Sequence, residues 1–191
     1  EWTQKNGKDV LVATGAVVSS PAMTSLAPGQ QQLVRIIVMQ PGIRAQEQSY
    51  RLVIDELPDA TSRAANPTAV HFLLRYSIPV FIAGNQSAPV SHDTLSCEQS
   101  EIPATLRCFN AGTRHIRLSH LEALTADGQV VGSIKGLAGY VLPGQTALLP
   151  LKHASRHALS TLRVYLNDDH HASQIPLRPL ASRAPVLATA H

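Results

Sequence analysis

Val70-His71-Phe72-Leu73-Leu74-Arg75-Tyr76-Ser77-Ile78-Pro79-Val80-Phe81 is the stretch on which the reading of this chain turns. Successive side chains of an extended strand point to opposite faces. Val70, Phe72, Leu74, Tyr76 and Ile78 therefore share one side, and His71, Leu73, Arg75, Ser77 and Pro79 share the other. This alternation predicts a strand. Two roles fit it: a sandwich strand facing a core, or an edge strand that pairs with a partner and offers its apolar residues to it. An inert sheet edge is usually blunted with Lys or Pro. Here the apolar side runs unbroken to Pro79, which favours the second role.

The segments around it read the same way. Asp9 to Thr14 follows an Asn6-Gly7 turn signal, and Gln32 to Val38 follows Pro28-Gly29. Tyr50 to Leu57 stops at Pro58. Residues 1–83 thus hold four or five strands, fewer than the seven or so of an immunoglobulin-like sandwich. Beyond Ala83–His92, a small, polar, Pro-containing linker, strands are expected at Ala104–Phe109, His115–Leu118, Leu121–Leu124, Gly139–Leu142, Ala147–Leu151 and Leu162–Leu166. No segment offers an amphipathic helix of more than two turns. The expected fold is all-β, with two immunoglobulin-like β-sandwich domains, 1–85 and 86–191. The first lacks its opening strands, and the tail frays after about residue 176.

Composition narrows the function. Of 191 residues 44% are hydrophobic and 15% charged, which excludes a disordered, solvating chain. Apolar runs such as Ile36–Met39 are far short of the roughly 20 residues of a membrane-spanning helix, so no membrane insertion is expected. The start, Glu1-Trp2-Thr3-Gln4, has neither the basic nor the apolar region of a signal peptide and no initiator Met. A processed or truncated product is expected. The net charge is +3, and the sixteen basic residues are scattered singly, with only 4% aromatics. A nucleic-acid binder carries a clustered basic face, so nucleic acid is not an expected partner.

The chemistry of an enzyme is missing. His153 and His157 have helical ligand spacing, but their segment lacks helical periodicity. His170-His171 follows a turn signal, and three or four convergent ligands would be needed for a metal. Ser91-His92-Asp93 are sequence neighbours, whereas a triad is a spatial arrangement. No Gly-x-Ser-x-Gly, phosphate loop or dinucleotide fingerprint occurs. No catalytic residue, metal or cofactor is assigned. Cys97 and Cys108, with ten residues between them, could be a disulfide flanking a hairpin or two buried free thiols.

An ordered set of segments carries a resemblance. They are Trp2-Thr3-Gln4, Leu26 to Arg35, Gln48 to Pro58 and Leu74 to Phe81, then Asn110 to Leu118 and Gly136 to Gly144. Together they resemble the periplasmic pilus-assembly chaperones of the chaperone–usher pathway, nearest to the archaic, spore-coat-like branch. The resemblance implies that the last strand of the first domain is lent to an incomplete pilin subunit until an outer-membrane usher exchanges it. Val70, Phe72, Leu74, Tyr76 and Ile78 are then the pilin-binding donor strand, their side chains filling the groove of the missing pilin strand. It also implies a periplasmic location and, with the spacing, a Cys97–Cys108 disulfide across a hairpin whose loop is Ser100 to Pro103.

The chain departs from the classical pattern. Pro79 stands where classical members carry a Lys that anchors the pilin carboxylate. Arg51 and Arg75 are the candidate replacements, each equally readable as a solvated or locally paired Arg. Glu56 matches a Glu that classical members pair with an Arg at the domain junction, where this chain has Ala83. The alternative to a chaperone is an immunoglobulin-like adhesion or structural module sharing only the sandwich.

Overall fold

Strands and turns account for the fold of the described residues, with one three-residue 3-10 turn at His92–Thr94 and no α-helix among them. A computed structural model describes residues 1–39, 42, 44–58, 72–85, 92–152 and 158–178. Val70, His71, Ser91, His153 and His157 lie outside the described residues, as does most of the expected linker.

Among the described residues the amino-terminal lobe contains six strands, one or two more than expected: β1 (Trp2–Lys5), β2 (Lys8–Leu11), β3 (Val17–Ser20), β4 (Arg35–Val38), β5 (Gln48–Asp55) and β6 (Arg75–Ile82). The additions, β1 and β3, are four residues each, too short for a period of two to stand out. The six pair as three separate antiparallel ladders, β1–β2, β3–β4 and β5–β6, rather than as one closed sandwich. Asn6 and Gly7 have φ of 52° and 77°, the doubly left-handed pair that a two-residue hairpin requires. Because the ladders do not close on one another, Leu11, Val18, Ile36, Ile37, Val53 and Ile54 remain exposed. A groove of about 340 Å³ runs between them, lined by Leu11, Val18, Ile36, Leu52, Val53 and Val80.

The carboxy-terminal lobe is better filled. β7 (Leu95–Gln99), β8 (Thr105–Asn110), β9 (Ile116–Leu124), β10 (Val130–Val141), β11 (Thr146–Pro150), β12 (Thr161–Leu166) and β13 (Ser173–Arg178) form one sheet in the order β10-β9-β12-β13-β7-β8-β11. β13 joins its two parts: Ser173 to Pro176 pair antiparallel with β12, while Leu177 and Arg178 pair parallel with Cys97 and Glu98 of β7. The last described strand thus includes Leu177 and Arg178, and the rest of the expected tail lies outside the described residues. The sheet folds over a core that includes Leu106, Ile116, Leu118, Leu121, Leu162, Val164 and Leu166, each with no exposed surface. Cys97 and Cys108 lie opposite each other in the β7–β8 register, 4.1 Å apart at Cα, and are joined by a disulfide.

Two features explain how this lobe departs from the expected strand list. His115–Leu118 and Leu121–Leu124 are one strand, β9, with a bulge. Ile116 and Leu118 are buried, then Leu121 and Ala123, so the inward parity changes between Ser119 and His120. His120 has a left-handed φ of 48°, which inserts the extra residue. β10 is twelve residues long and its register shifts around Gly132, Leu137 and Gly139. Those breaks hide its period of two. Asn110 ties the lobe together from within. Its buried amide donates to the carbonyls of Arg114 (2.7 Å) and Val141 (3.0 Å), and its Oδ1 accepts the N–H of Gly112 (2.8 Å).

Candidate functional site

β6 and the junction between the lobes hold the residues that the sequence singles out. β6 pairs with β5 without a register shift, from Arg75 opposite Asp55 to Ile82 opposite Gln48. Glu56 extends this ladder by one residue: its N–H donates to the Leu74 carbonyl (2.9 Å), and its Oε2 accepts the Leu74 N–H (3.1 Å). Glu56 thus fixes the start of β6 within the amino-terminal lobe. No described strand pairs with the other edge of β6.

That edge is open and apolar. Phe72 is 82% exposed, Leu74 54%, Tyr76 55% and Ile78 43%. From Pro79 onward the strand becomes half-buried as it nears the carboxy-terminal lobe. Backbone polarity alternates along an antiparallel ladder. With Leu74 bonded to Glu56, the groups of Tyr76, Ile78 and Val80 turn toward β5, and those of Arg75, Ser77 and Pro79 turn outward. Pro79 has no N–H, so it removes one donor from the open edge, where a strand tolerates proline.

The two candidate cations are held apart. Arg51 stands opposite Pro79 and Arg75 opposite Asp55, four residues along the ladder, or about 13 Å. Arg75 is locally paired. Its Nη2 donates to Asp55 Oδ2 at 2.9 Å, and its Nε to Oδ1. Those hydrogen bonds, with the guanidinium charge, hold the Asp55 carboxyl below its ordinary range and raise the Arg75 guanidinium. Arg51 is mostly covered, its side chain 20% exposed and 3.9 Å from Asp9. Its guanidinium carbon lies 3.9 Å from the centre of the Trp2 ring, a cation–π distance.

The ring under Arg51 belongs to an aromatic cluster that the strand pattern does not single out. Trp2, 2% exposed, meets Tyr140 edge-on at 5.4 Å and Phe81 at 5.9 Å. Phe81 stacks on His115 at 3.5 Å, nearly parallel. Three of the chain's eight Phe, Tyr and Trp residues meet at this one place, which no local sequence pattern marks. The β1–β2 hairpin seats the cluster. Gln4 donates to the Tyr140 carbonyl (2.8 Å) and accepts the Leu142 N–H (3.1 Å). The Leu148 N–H donates to the Gly7 carbonyl at 2.9 Å. A Cβ on Gly7 would lie 2.3 Å from Leu148 Cγ, so only glycine lets the hairpin lie this close to β11. Among the described residues no three His, Cys, Asp or Glu side chains converge as metal ligands would, and no helix is long and apolar enough to cross a membrane.

Comparison with known proteins agrees with this architecture. Residues 1–86 match the family model described as pili and flagellar-assembly chaperone, PapD N-terminal domain. Among solved structures, the chain is similar to that of the CsuC-CsuE chaperone-tip adhesion subunit pre-assembly complex from archaic chaperone-usher Csu pili of Acinetobacter baumannii. Identity is 22%, over 94% of this chain and 82% of that one, with a TM-score of 0.65. The Pseudomonas aeruginosa CupB2 chaperone matches at 19% identity over 85% of this chain and 75% of that one, TM-score 0.56. The YadV chaperone matches at 15% over 85% and 79%, TM-score 0.61. Among curated protein sequences none matches the chain. The solved structures carry the all-β fold, and residues 1–86 match the amino-terminal domain of the pilus-assembly chaperones, both as the sequence led one to expect.

Proposed function

We propose that this protein is a pilus-assembly chaperone that captures pilin subunits by lending them β6 and the segment leading into it, with Val70, Phe72, Leu74, Tyr76 and Ile78 as the donated residues. It acts in the periplasm, without a cofactor, and passes the subunit to an outer-membrane usher. One observation carries the reading: no described strand pairs with the outer edge of β6, and the side chains beside it stand in solvent from Phe72 to Ile78. An exposed edge of this kind favours pairing with another chain, and β-augmentation turns that tendency into binding. The solved relative contains a chaperone with a tip adhesion subunit, which supports a subunit as the occupant. We take the first domain to be residues 1–85, with β6 as its last strand; the family match over residues 1–86 supports this division.

Of the two candidate anchors for a subunit carboxylate, we favour Arg51. The Arg75 guanidinium already holds the Asp55 carboxylate through two nitrogens, whereas the nearest carboxylate to Arg51 is 3.9 Å away. The test places a photo-crosslinking residue singly at Phe72, Leu74, Ile78 or the remote Tyr165 in a chain co-expressed with a pilin subunit. Adducts are expected at Phe72, Leu74 and Ile78 and not at Tyr165. Adducts at Tyr165 with none at those three positions would refute donation of this strand.

A further inference from the structure

We propose that the outer face of the carboxy-terminal lobe binds a neutral oligosaccharide, seated on Tyr165 and His120 between two fixed Arg–carboxylate pairs. The bulge in β9 makes the floor of this site. Leu118 and Leu121 point into the core with no exposed surface, so the two residues between them, Ser119 and His120, both face outward. His120 holds a left-handed φ of 48° to do so. For a residue with a Cβ this is a strained conformation, and such strain and such bulges cluster at functional sites. The His120 side chain is exposed, so the core gains no packing from it. Its ring stands edge-on to that of Tyr165 on β12, 5.9 Å away.

Two ion pairs wall this floor. At one end Arg163 stands opposite Glu122 in the β12–β9 register, and its Nε donates to Glu122 Oε2 at 2.7 Å. At the other end Arg117 Nη2 donates to Asp168 Oδ1 at 2.8 Å and to the Asn167 carbonyl. Asn167 Oδ1 in turn accepts the Arg117 backbone N–H at 3.0 Å. The hollow they enclose measures about 840 Å³. Arg117 to Glu122 spans roughly 15 Å of strand, about the length of three linked sugar rings.

The chemistry selects the ligand. Each guanidinium is already met by a carboxylate, so neither is left over to hold a phosphate or a carboxylated ligand. β9 and β12 are interior strands of their sheet, so a polypeptide finds no backbone edge to pair with here. Two rings are too little apolar surface for a lipid. A sugar meets all three conditions: its C–H face lies on an aromatic ring, and its hydroxyls both donate and accept. A guanidinium carries five N–H donors and a carboxylate about four acceptor sites, so each pair can bond hydroxyls without being broken. Because the pairs hold one another in place beforehand, binding has little side-chain ordering to overcome.

The test titrates the isotope-labelled full chain with cellotriose, triacetylchitotriose and the cationic, deacetylated chitotriose, following amide chemical shifts. Either neutral trisaccharide is expected to shift the His120, Tyr165 and Asn167 amides, with a Kd of about 1 mM. Tyr165→Ala is expected to weaken binding about tenfold. His120→Gly accommodates the left-handed φ without a Cβ, and is expected to weaken binding about threefold while the melting temperature holds. A bulge and rings that serve only the fold would leave the affinity unchanged in both variants, which overturns the inference; if Tyr165→Ala does not fold, His120→Gly decides alone. No shift at these amides up to about 10 mM of either neutral sugar, or shifts with the deacetylated sugar alone, also overturns it. So does a shift there on adding a pilin subunit with none from either neutral sugar, which would give the face to a protein. β6 takes no part in this site, so failure here is distinct from failure of strand donation.

Discussion

The exposure gradient along β6 sets a rank order that capture must follow. An alanine substitution weakens binding only by the apolar area that the complex buries beyond what the free chaperone already covers. Full burial of a large apolar side chain contributes about 1.5–3 kcal/mol. Phe72 is 82% exposed, Leu74 54% and Ile78 43%. Scaling by those fractions, truncation should cost capture about 2 kcal/mol at Phe72, about 1.2 at Leu74 and about 1 at Ile78. In affinity these are losses of about 30-fold, 8-fold and 5-fold. Folding should show the reverse order, Ile78→Ala losing most and Phe72→Ala almost nothing. The assay co-expresses a tagged pilin subunit with equal amounts of wild-type and variant chaperone, and the ratio recovered on the subunit reports relative affinity. Thermal unfolding of each free variant supplies the folding order. If Phe72→Ala competes as well as wild type while Ile78→Ala is displaced, the exposed apolar side is not what a subunit buries. If all three losses track melting temperature, capture merely reports folding.

Three further outcomes follow from the same contacts. Replacing both Cys97 and Cys108 by Ala should destabilise the carboxy-terminal lobe by about 3 kcal/mol, since the bond closes a loop of sequence separation 11; an unchanged urea midpoint would show that the β7–β8 pairing holds without it. Asn110→Leu leaves the Arg114 and Val141 carbonyls and the Gly112 N–H without their partner. A loss of about 3 kcal/mol is expected in chemical denaturation, and a loss below about 1 would mean that these groups re-pair elsewhere. The depressed Asp55 pKa contributes stability that is present above the unfolded carboxyl value, about 4, and lost as pH falls through the lower folded value. Asp55→Asn should therefore flatten the melting temperature below about pH 4, by a small amount because the pair is solvated. Superimposable acid limbs would count against the pairing with Arg75.

Much of the architecture was legible because period two survives wherever a strand has one covered side. β5, β6, β8 and β12 could be read from their residues. β9 appeared as two strands because the bulge at His120 reverses the inward parity, and β10 was mostly missed because shifts near its glycines interrupt the alternation. β1 and β3 are too short to carry a period. The proposed donor strand stood out in the sequence because its apolar run is long for an inert edge. The junction was not. Gln4 and Tyr140 lie on segments far apart in the chain, and nothing local in Thr3-Gln4-Lys5 or Gly139-Tyr140-Val141 marks them as partners. Long-range polar contacts of this kind emerge only when the topology brings the segments together.

The proline at position 79 also has a bearing on how free copies behave at high concentration. Two molecules meeting edge to edge would try to zip β6 against β6, as open sheet edges do. Antiparallel pairing about the middle of that strand would bring both Pro79 residues into the seam, each arriving with an empty place where a donor belongs. Only Phe72 to Ser77 is left uninterrupted, about 20 Å of ladder. A guest strand that approaches from the Phe72 end can use that length in full, whereas a twin centred on the strand cannot. The same ring that shortens the grip thus acts as a filter against self-assembly, keeping the apolar edge available to a foreign strand.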